Sequence, residues 1–226
     1  MDQPVECAKC KQVACRSVHP EMGPANCPTK TRAHIVEEAA REYESPEIGK
    51  LGRNIALQNY SGYIDLPVGS TPLNTRVEEI IGLARRMGYK KIGIATCSGL
   101  LNEARLFTEI LEKRGFEVAS VSCEAGALGM EQVGVGKDDT VVASDYNRRF
   151  PPCSGIVQAK ILNAEGTDFN VLMGLCVGQD YLFFKYSDVP GTVLIAKDRV
   201  LGHNPVAALH QSHAYYHRLL RKEPDG

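Results

Sequence analysis

Eight cysteines, at positions 7, 10, 15, 27, 97, 123, 153 and 176, are the residues of this 226-residue chain best suited to chemistry. The leading residues MDQPVECAKC are polar and unlike an export signal, so the expected compartment is the reducing cytoplasm. Thiols there serve as buried small hydrophobes, nucleophiles or ligands of soft metal centres, seldom as disulfides. Four of them form the run Cys7-x2-Cys10-x4-Cys15-x11-Cys27. Such a set suits a tetrahedral sulfur site holding zinc or an iron-sulfur cluster. The asymmetric spacing and the Cys27-Pro28 ending are closer to ferredoxin-type runs than to paired CxxC zinc ribbons, so iron-sulfur is favoured and zinc is the alternative. His19 is a candidate replacement for one thiol. A redox-active Cys7/Cys10 pair is a further alternative, but it leaves Cys15 and Cys27 without a role.

The other four thiols lie far apart in sequence. Cys97, Cys123 and Cys176 each close an apolar run, KIGIATC, EVASVSC and DFNVLMGLC, that reads as a strand. Cys153 follows Pro151-Pro152 at the expected start of a helix, where free N–H groups and the helix dipole favour thiolate. In a parallel sheet the carboxyl ends share one edge, and ligands bind in the crevice beyond it. Cys97, Cys123, Cys153 and Cys176 are therefore expected to surround one site. A four-iron four-sulfur cluster is favoured there, because neighbouring strands stand about 4.8 Å apart and a cube bridges that gap better than one zinc ion does. Each thiol taken alone is better read as a buried core cysteine, and it is the convergence of four at one edge that favours a site. Cys97 alone also admits a catalytic-thiol reading, since Ser98-Gly99 opens a helix. A phosphatase-type Cys-x5-Arg loop is excluded by Glu103.

The elements that must position these thiols fall into three zones: a Cys-rich metal-binding segment at 1–30, a helical connector at 31–73 and a Rossmann-like α/β domain with a C-terminal helix at 74–226. The first is loop-rich, with too few apolar residues to offset chain entropy without a metal. The connector reads as two helices broken at Ser45-Pro46. In the third, Thr75-Arg-Val-Glu78 is a capping box and Gly88 a stop signal. Strands are expected at 90–97, 117–123, 169–176 and 192–198, alternating with helices, one of them at about 154–164. That alternation predicts a mainly parallel sheet with helices on both faces. A last helix is expected from Pro205.

Hydrophobic residues make up 43% and charged residues 23% of the chain, which excludes general disorder. A formal net charge of −1 argues against nucleic acid or anionic lipid as partner. No apolar run approaches the roughly 20 residues of a membrane span. The stretch VGVGKDDT fails as a phosphate loop at Glu131 and Asp138, and no dinucleotide GxGxxG is present. Gly126, Gly129, Gly134 and Gly136 suit a loop that covers the crevice. His210, His213 and His217 lie at helical spacing and are better read as a packing face than as ligands. Asp180, Lys185, Asp198, Arg199 and His203 follow strand ends and are candidate neighbours of the thiols or of a substrate.

The strings CAKCKQVAC, KKIGIATCSGL, FEVASVSC, TDFNVLMGLCVGQD and KDRVLGHNP, in that order, resemble the family catalogued as domain of unknown function 1847, described as predicted metal-binding proteins frequent in anaerobic bacteria and archaea. The resemblance covers nearly the whole chain. It implies metal binding by the Cys positions and supplies no reaction. The expected function is that of an iron-sulfur protein with two centres, acting in redox or electron transfer or in chemistry at the crevice. An electron-transfer partner and a small-molecule substrate are the partner classes this implies. The alternative is a zinc-binding, non-enzymatic protein that binds a small ligand or senses thiol oxidation.

Overall fold

The computed structural model describes residues 4–17, 19–136, 139 and 151–222. Two compact units divide the chain, Met1–Thr71 and Pro72–Gly226. In the first, three single-turn 3-10 helices (Cys7–Lys9, Ala14–Arg16, Pro20–Met22) precede α1 (Pro28–Thr31), α2 (Ala33–Glu42) and α3 (Pro46–Ser61). The expected break is present: Ser45 caps α3, its Oγ accepting from the Ile48 N–H at 3.3 Å, and Pro46 opens the first turn. Two short strands, β1 (Tyr63–Leu66) and β2 (Gly69–Pro72), pair where the sequence predicts only a connector. Every residue of β1 is exposed, so no half-buried alternation marks it in the sequence. Among the described residues of this unit no apolar side chain is buried.

The second unit is the predicted α/β fold. Its helix α4 (Arg76–Met87) begins at the capping box: the Glu78 carboxylate accepts from the Thr75 N–H at 2.8 Å while the Glu78 N–H bonds the Thr75 hydroxyl. It ends at Gly88, whose φ of 79° is the left-handed conformation that glycine adopts without a steric cost. There follow β3 (Lys91–Thr96), α5 (Leu101–Lys113), β4 (Glu117–Ser122), α6 (Gly155–Ala164), β5 (Phe169–Met173), α7 (Gln179–Tyr186), β6 (Gly191–Ile195) and α8 (Val206–His210). The sheet runs in the order β4-β3-β5-β6, and each described pairing is parallel. The order reverses between β3 and β5, which makes their carboxyl ends the switch point of the sheet.

The period of two along each strand separates two cores. Ile92 and Ile94 of β3 and Phe169, Val171 and Met173 of β5 pack with Ile80, Ile81 and Ala84 of α4 and Ala104, Phe107 and Leu111 of α5. On the opposite face Ala95, Val121 and Leu172 pack with Ala159 and Leu162 of α6 and Phe183 of α7. Cys97 and Cys123 belong to this second core.

The structure corrects several details. The third strand stops at Met173: Gly174, at φ 67°, turns the chain, so Cys176 lies in the loop before α7 and does not close a strand. The α7 helix itself is not evident from the sequence. The fourth strand ends at Ile195, short of 198. The C-terminal helix covers only Val206–His210, with Pro205 as its cap and turns beyond, so His210, His213 and His217 share no single helical face. Gly126 to Gly136 form turns around a 3-10 helix at Met130–Val133. The expected cover over the crevice depends on residues 137–150, nearly all outside the described ones. Among the described residues no helix is long and apolar enough to cross a membrane.

Candidate metal centre

Cys97 and Cys123 each stand one residue beyond a strand yet still take part in the ladder. The Cys97 N–H bonds Met173 O at 2.9 Å and the Cys123 N–H bonds Thr96 O at 2.8 Å. Strand alternation turns both side chains to the face covered by α6 and α7. Those helices carry the other two thiols at their amino ends. Cys153 precedes Ser154, which caps α6 by accepting from the Val157 N–H at 3.2 Å and ties it to the sheet through a 2.8 Å bond from its own N–H to Cys123 O. Cys176 precedes Gly178, the cap of α7, and its carbonyl accepts from the Gln179 N–H at 2.8 Å.

The outcome is close approach. Cys153 Sγ lies 3.5 Å from Cys123 Sγ, and Cys153 also interacts with the Cys176 sulfur. Sγ of Cys123, a carboxylate oxygen of Glu124 and Sγ of Cys153 all lie within 4.8 Å of one another, near enough to hold a metal ion; no other such group occurs among the described residues. Cys97 is buried on the same face, its Sγ accepting from the Gly99 N–H at 3.3 Å and from Lys197 Nζ at 2.7 Å. Arg199 Nη2 donates to Cys176 Sγ at 3.1 Å. The Ser98 hydroxyl donates to Glu124 Oε1 at 3.2 Å and lies 4.0 Å from Cys123 Sγ.

These contacts make Cys123 and Cys153 unlike. The Cys153 S–H, with help from the Ser98 N–H and hydroxyl, pulls the Cys123 thiol down to about 5, against the opposing effects of burial and the Glu124 charge. Donation to Cys123, burial and the neighbouring sulfurs push the Cys153 thiol up. The two sulfurs share one proton, which a cation taking both as thiolates must displace. The donor chemistry, soft thiolates with one hard carboxylate beside them, fits zinc or iron and does not fit magnesium or calcium.

The amino-terminal thiols are placed differently. Cys7 and Cys15 are exposed and sit in two of the 3-10 turns, whereas Cys10 and Cys27 are half-buried. Cys27 caps α1, and the Thr29 hydroxyl and N–H, with Lys30, hold its thiol below the ordinary range. Gly23 lies against it, close enough that a Cβ there would meet Cys27 Sγ at 3.3 Å. His19 Nδ1 faces Glu21 Oε1 at 3.0 Å.

Of the polar residues expected near the thiols, Arg199 reaches one directly. Asp180 instead bonds the N–H groups of Gly178 and Tyr181, Lys185 lies in the last turn of α7, and Asp198 and His203 brace the loop after β6. Sequence reasoning misses Lys197 and Gln158, and does not name Glu124 as a ligand. The Gln158 side chain is fully buried on α6 and donates from Nε2 to Thr96 O at 3.1 Å and Val121 O at 2.8 Å. It thereby joins the three segments that carry Cys97, Cys123 and Cys153. The one signal in the sequence is a glutamine amid the apolar residues of GIVQAKIL.

Residues 27–194 match the family described as Protein of unknown function (DUF1847). The chain is also 36% identical, over 217 residues, to the uncharacterised protein MJ0455 of Methanocaldococcus jannaschii, a match covering 96% of this chain and 98% of that protein. Neither description states an activity, and on both the match and the identity this chain belongs to the DUF1847 family.

Proposed function

We propose that this protein is an iron-sulfur redox protein with two cysteine-ligated centres. Cys97, Cys123, Cys153 and Cys176 would hold one, favoured as a four-iron four-sulfur cluster, and Cys7, Cys10, Cys15 and Cys27 the other, as a cluster or as zinc. The observation that carries the reading is the 3.5 Å approach of Cys123 and Cys153 at the carboxyl edge of one parallel sheet, with Glu124 beside them and Cys97 buried on the same face. Four segments supply the four sulfurs, which suits a cluster whose separate irons each take one thiolate. The amino-terminal unit supports its own centre differently: with no buried apolar side chain among its described residues, it lacks the burial that would otherwise order it.

A cluster in the crevice would supply one-electron chemistry. The chain's residues hold the sulfurs in place through the sheet ladder and helix caps, keep Cys97 and Cys123 out of water, and present Lys197 and Arg199 to the sulfurs. Anaerobically purified protein is expected to be brown, absorbing near ~400 nm, and to contain iron and sulfide. Cys123→Ser and Cys176→Ser should each lower iron content while sparing the amino-terminal centre. Colourless protein containing zinc alone would overturn the iron-sulfur assignment.

One observation favours a second reading. Sulfurs 3.5 Å apart need little motion to form a disulfide, and one is held as thiolate while the other carries the proton. In that reading the metal-free protein, or one with zinc at its amino-terminal site, senses thiol oxidation. Rapid formation of a Cys123–Cys153 disulfide with oxidised glutathione, in protein that takes up no iron, would favour it over the first.

A further inference from the structure

We infer that Lys197 and Arg199 form a cationic clamp on the sulfurs of the crevice centre and set its reduction potential; the inference rests on the iron-sulfur reading above. Both side chains come from the loop that follows β6, and each reaches a different thiol, Lys197 Nζ to Cys97 Sγ at 2.7 Å and Arg199 Nη2 to Cys176 Sγ at 3.1 Å. Among the described residues neither cation forms an ion pair with a carboxylate. Their charge is directed at sulfur.

The loop is built to hold them there. Asp198, between the two, turns its carboxylate back onto the N–H groups of Val200 at 2.9 Å and Leu201 at 2.8 Å. Its own N–H bonds His203 Nδ1 at 3.2 Å, and the His203 N–H bonds Asp198 O at 2.8 Å. His203 sits at φ 65°, a left-handed conformation that a non-glycine residue keeps only where its surroundings impose it. With Asp198 committed to the turn, Lys197 and Arg199 are left on either side of it to reach the switch-point thiols after β3 and β5.

Charge balance gives the clamp its purpose. Four thiolates around a doubly positive core, whether zinc or an oxidised cluster, carry a net charge of about −2. Glu124 adds a further negative charge beside Cys123 and Cys153. Two cations on the remaining sulfurs offset most of this; half-buried Lys197 acts on a buried sulfur with little screening, whereas exposed Arg199 is screened more by solvent. Adding an electron makes the centre more negative, so the cations favour the reduced state and raise the potential.

The test is spectroelectrochemical titration of the full-length, anaerobically reconstituted protein. Lys197→Gln should lower the equilibrium constant for one-electron reduction roughly tenfold, about 59 mV, and Arg199→Gln should lower it by less, because Arg199 is exposed. The double variant should fall further, and Lys197→Arg should recover most of the loss. Iron-loaded variants with unchanged potential would overturn the clamp and leave the iron-sulfur reading standing. Iron lost from Lys197→Gln and not restored by Lys197→Arg would assign a merely structural role and likewise overturn it. A wild-type chain that takes up no iron would overturn both, and its iron content identifies that case.

Discussion

Gly155 is where the helices carrying two of the crevice thiols meet, and Gly155→Ala should disturb both stability and metal binding. A Cβ at this position would overlap the Gln179 carbonyl oxygen and lie 3.1 Å from both Gln179 C and Phe183 N, where ordinary contact begins at 3.4 Å. The obstacles are backbone atoms, and the Phe183 side chain on α7 is fully buried, so α7 cannot rotate aside without opening the core. Relief requires α6 and α7 to part by on the order of 1 Å, an overpacking that costs about 1–3 kcal/mol. Cys153 lies two residues before Gly155 and Cys176 three before Gln179, so the same movement draws Cys153 away from Cys123, now at 3.5 Å, and from Cys176. Urea unfolding of the metal-free full-length protein should show the loss of stability, and iron content after anaerobic reconstitution should fall. Gly166→Ala is the control. Its φ of 66° imposes a conformational cost of roughly 1–2 kcal/mol, but a Cβ there meets nothing within 4 Å and the site lies before β5, at the other end of the strand from the thiols. The reasoning fails if Gly155→Ala is as stable as the wild type and loads iron as well as Gly166→Ala does.

In metal-free protein the Cys123 thiol, lowered to about 5, should contribute nothing to stability below that pH, increasingly more as pH rises toward the ordinary 9.0, and its full amount above it. The slope cannot exceed about 1.4 kcal/mol per pH unit, the limit for a single proton, and urea midpoints of wild type and Cys123→Ser compared from pH 5 to 8 should diverge as pH rises. The raised Cys153 acts oppositely, its contribution present below 9.0 and lost at higher pH. Gln158→Leu removes two hydrogen bonds to buried strand carbonyls, and should destabilise the protein by about 1–3 kcal/mol by chemical denaturation. The loss is expected to be partly offset, because Gln158 Oε1 itself has no partner among the described residues. Chelation of metal should speed hydrogen exchange across the amino-terminal Cys run while β3 and β5 keep their protection; equal protection with and without metal would refute a metal-held segment.

Much of the α/β unit was legible because its signals are local. Thr75, Glu78 and Gly88 bound α4 by chemistry within a few residues of each end. The apolar runs ending at Cys97 and Cys123 give strands in the expected places. Other elements carry a weak local signal: β1 is exposed along its whole length, and α7 has an apolar pattern too irregular to identify from GQDYLFFKY. Gly174 sits inside an apolar run that reads as strand, and only its left-handed backbone conformation, at φ 67°, turns the chain there.

What the sequence determined by itself is the inventory: eight thiols, their grouping into an amino-terminal run and four scattered positions, and the alternation that makes a parallel sheet. The strand order β4-β3-β5-β6, the 3.5 Å approach of Cys153 to Cys123, Glu124 beside that pair, and the reach of Lys197 and Arg199 to Cys97 and Cys176 belong to the tertiary structure alone. Periodicity and capping act over a few residues and so are written locally. Contacts between residues 23 to 100 positions apart depend on which strands neighbour and which face each crossover covers, and those are decided by how the two cores pack as a whole.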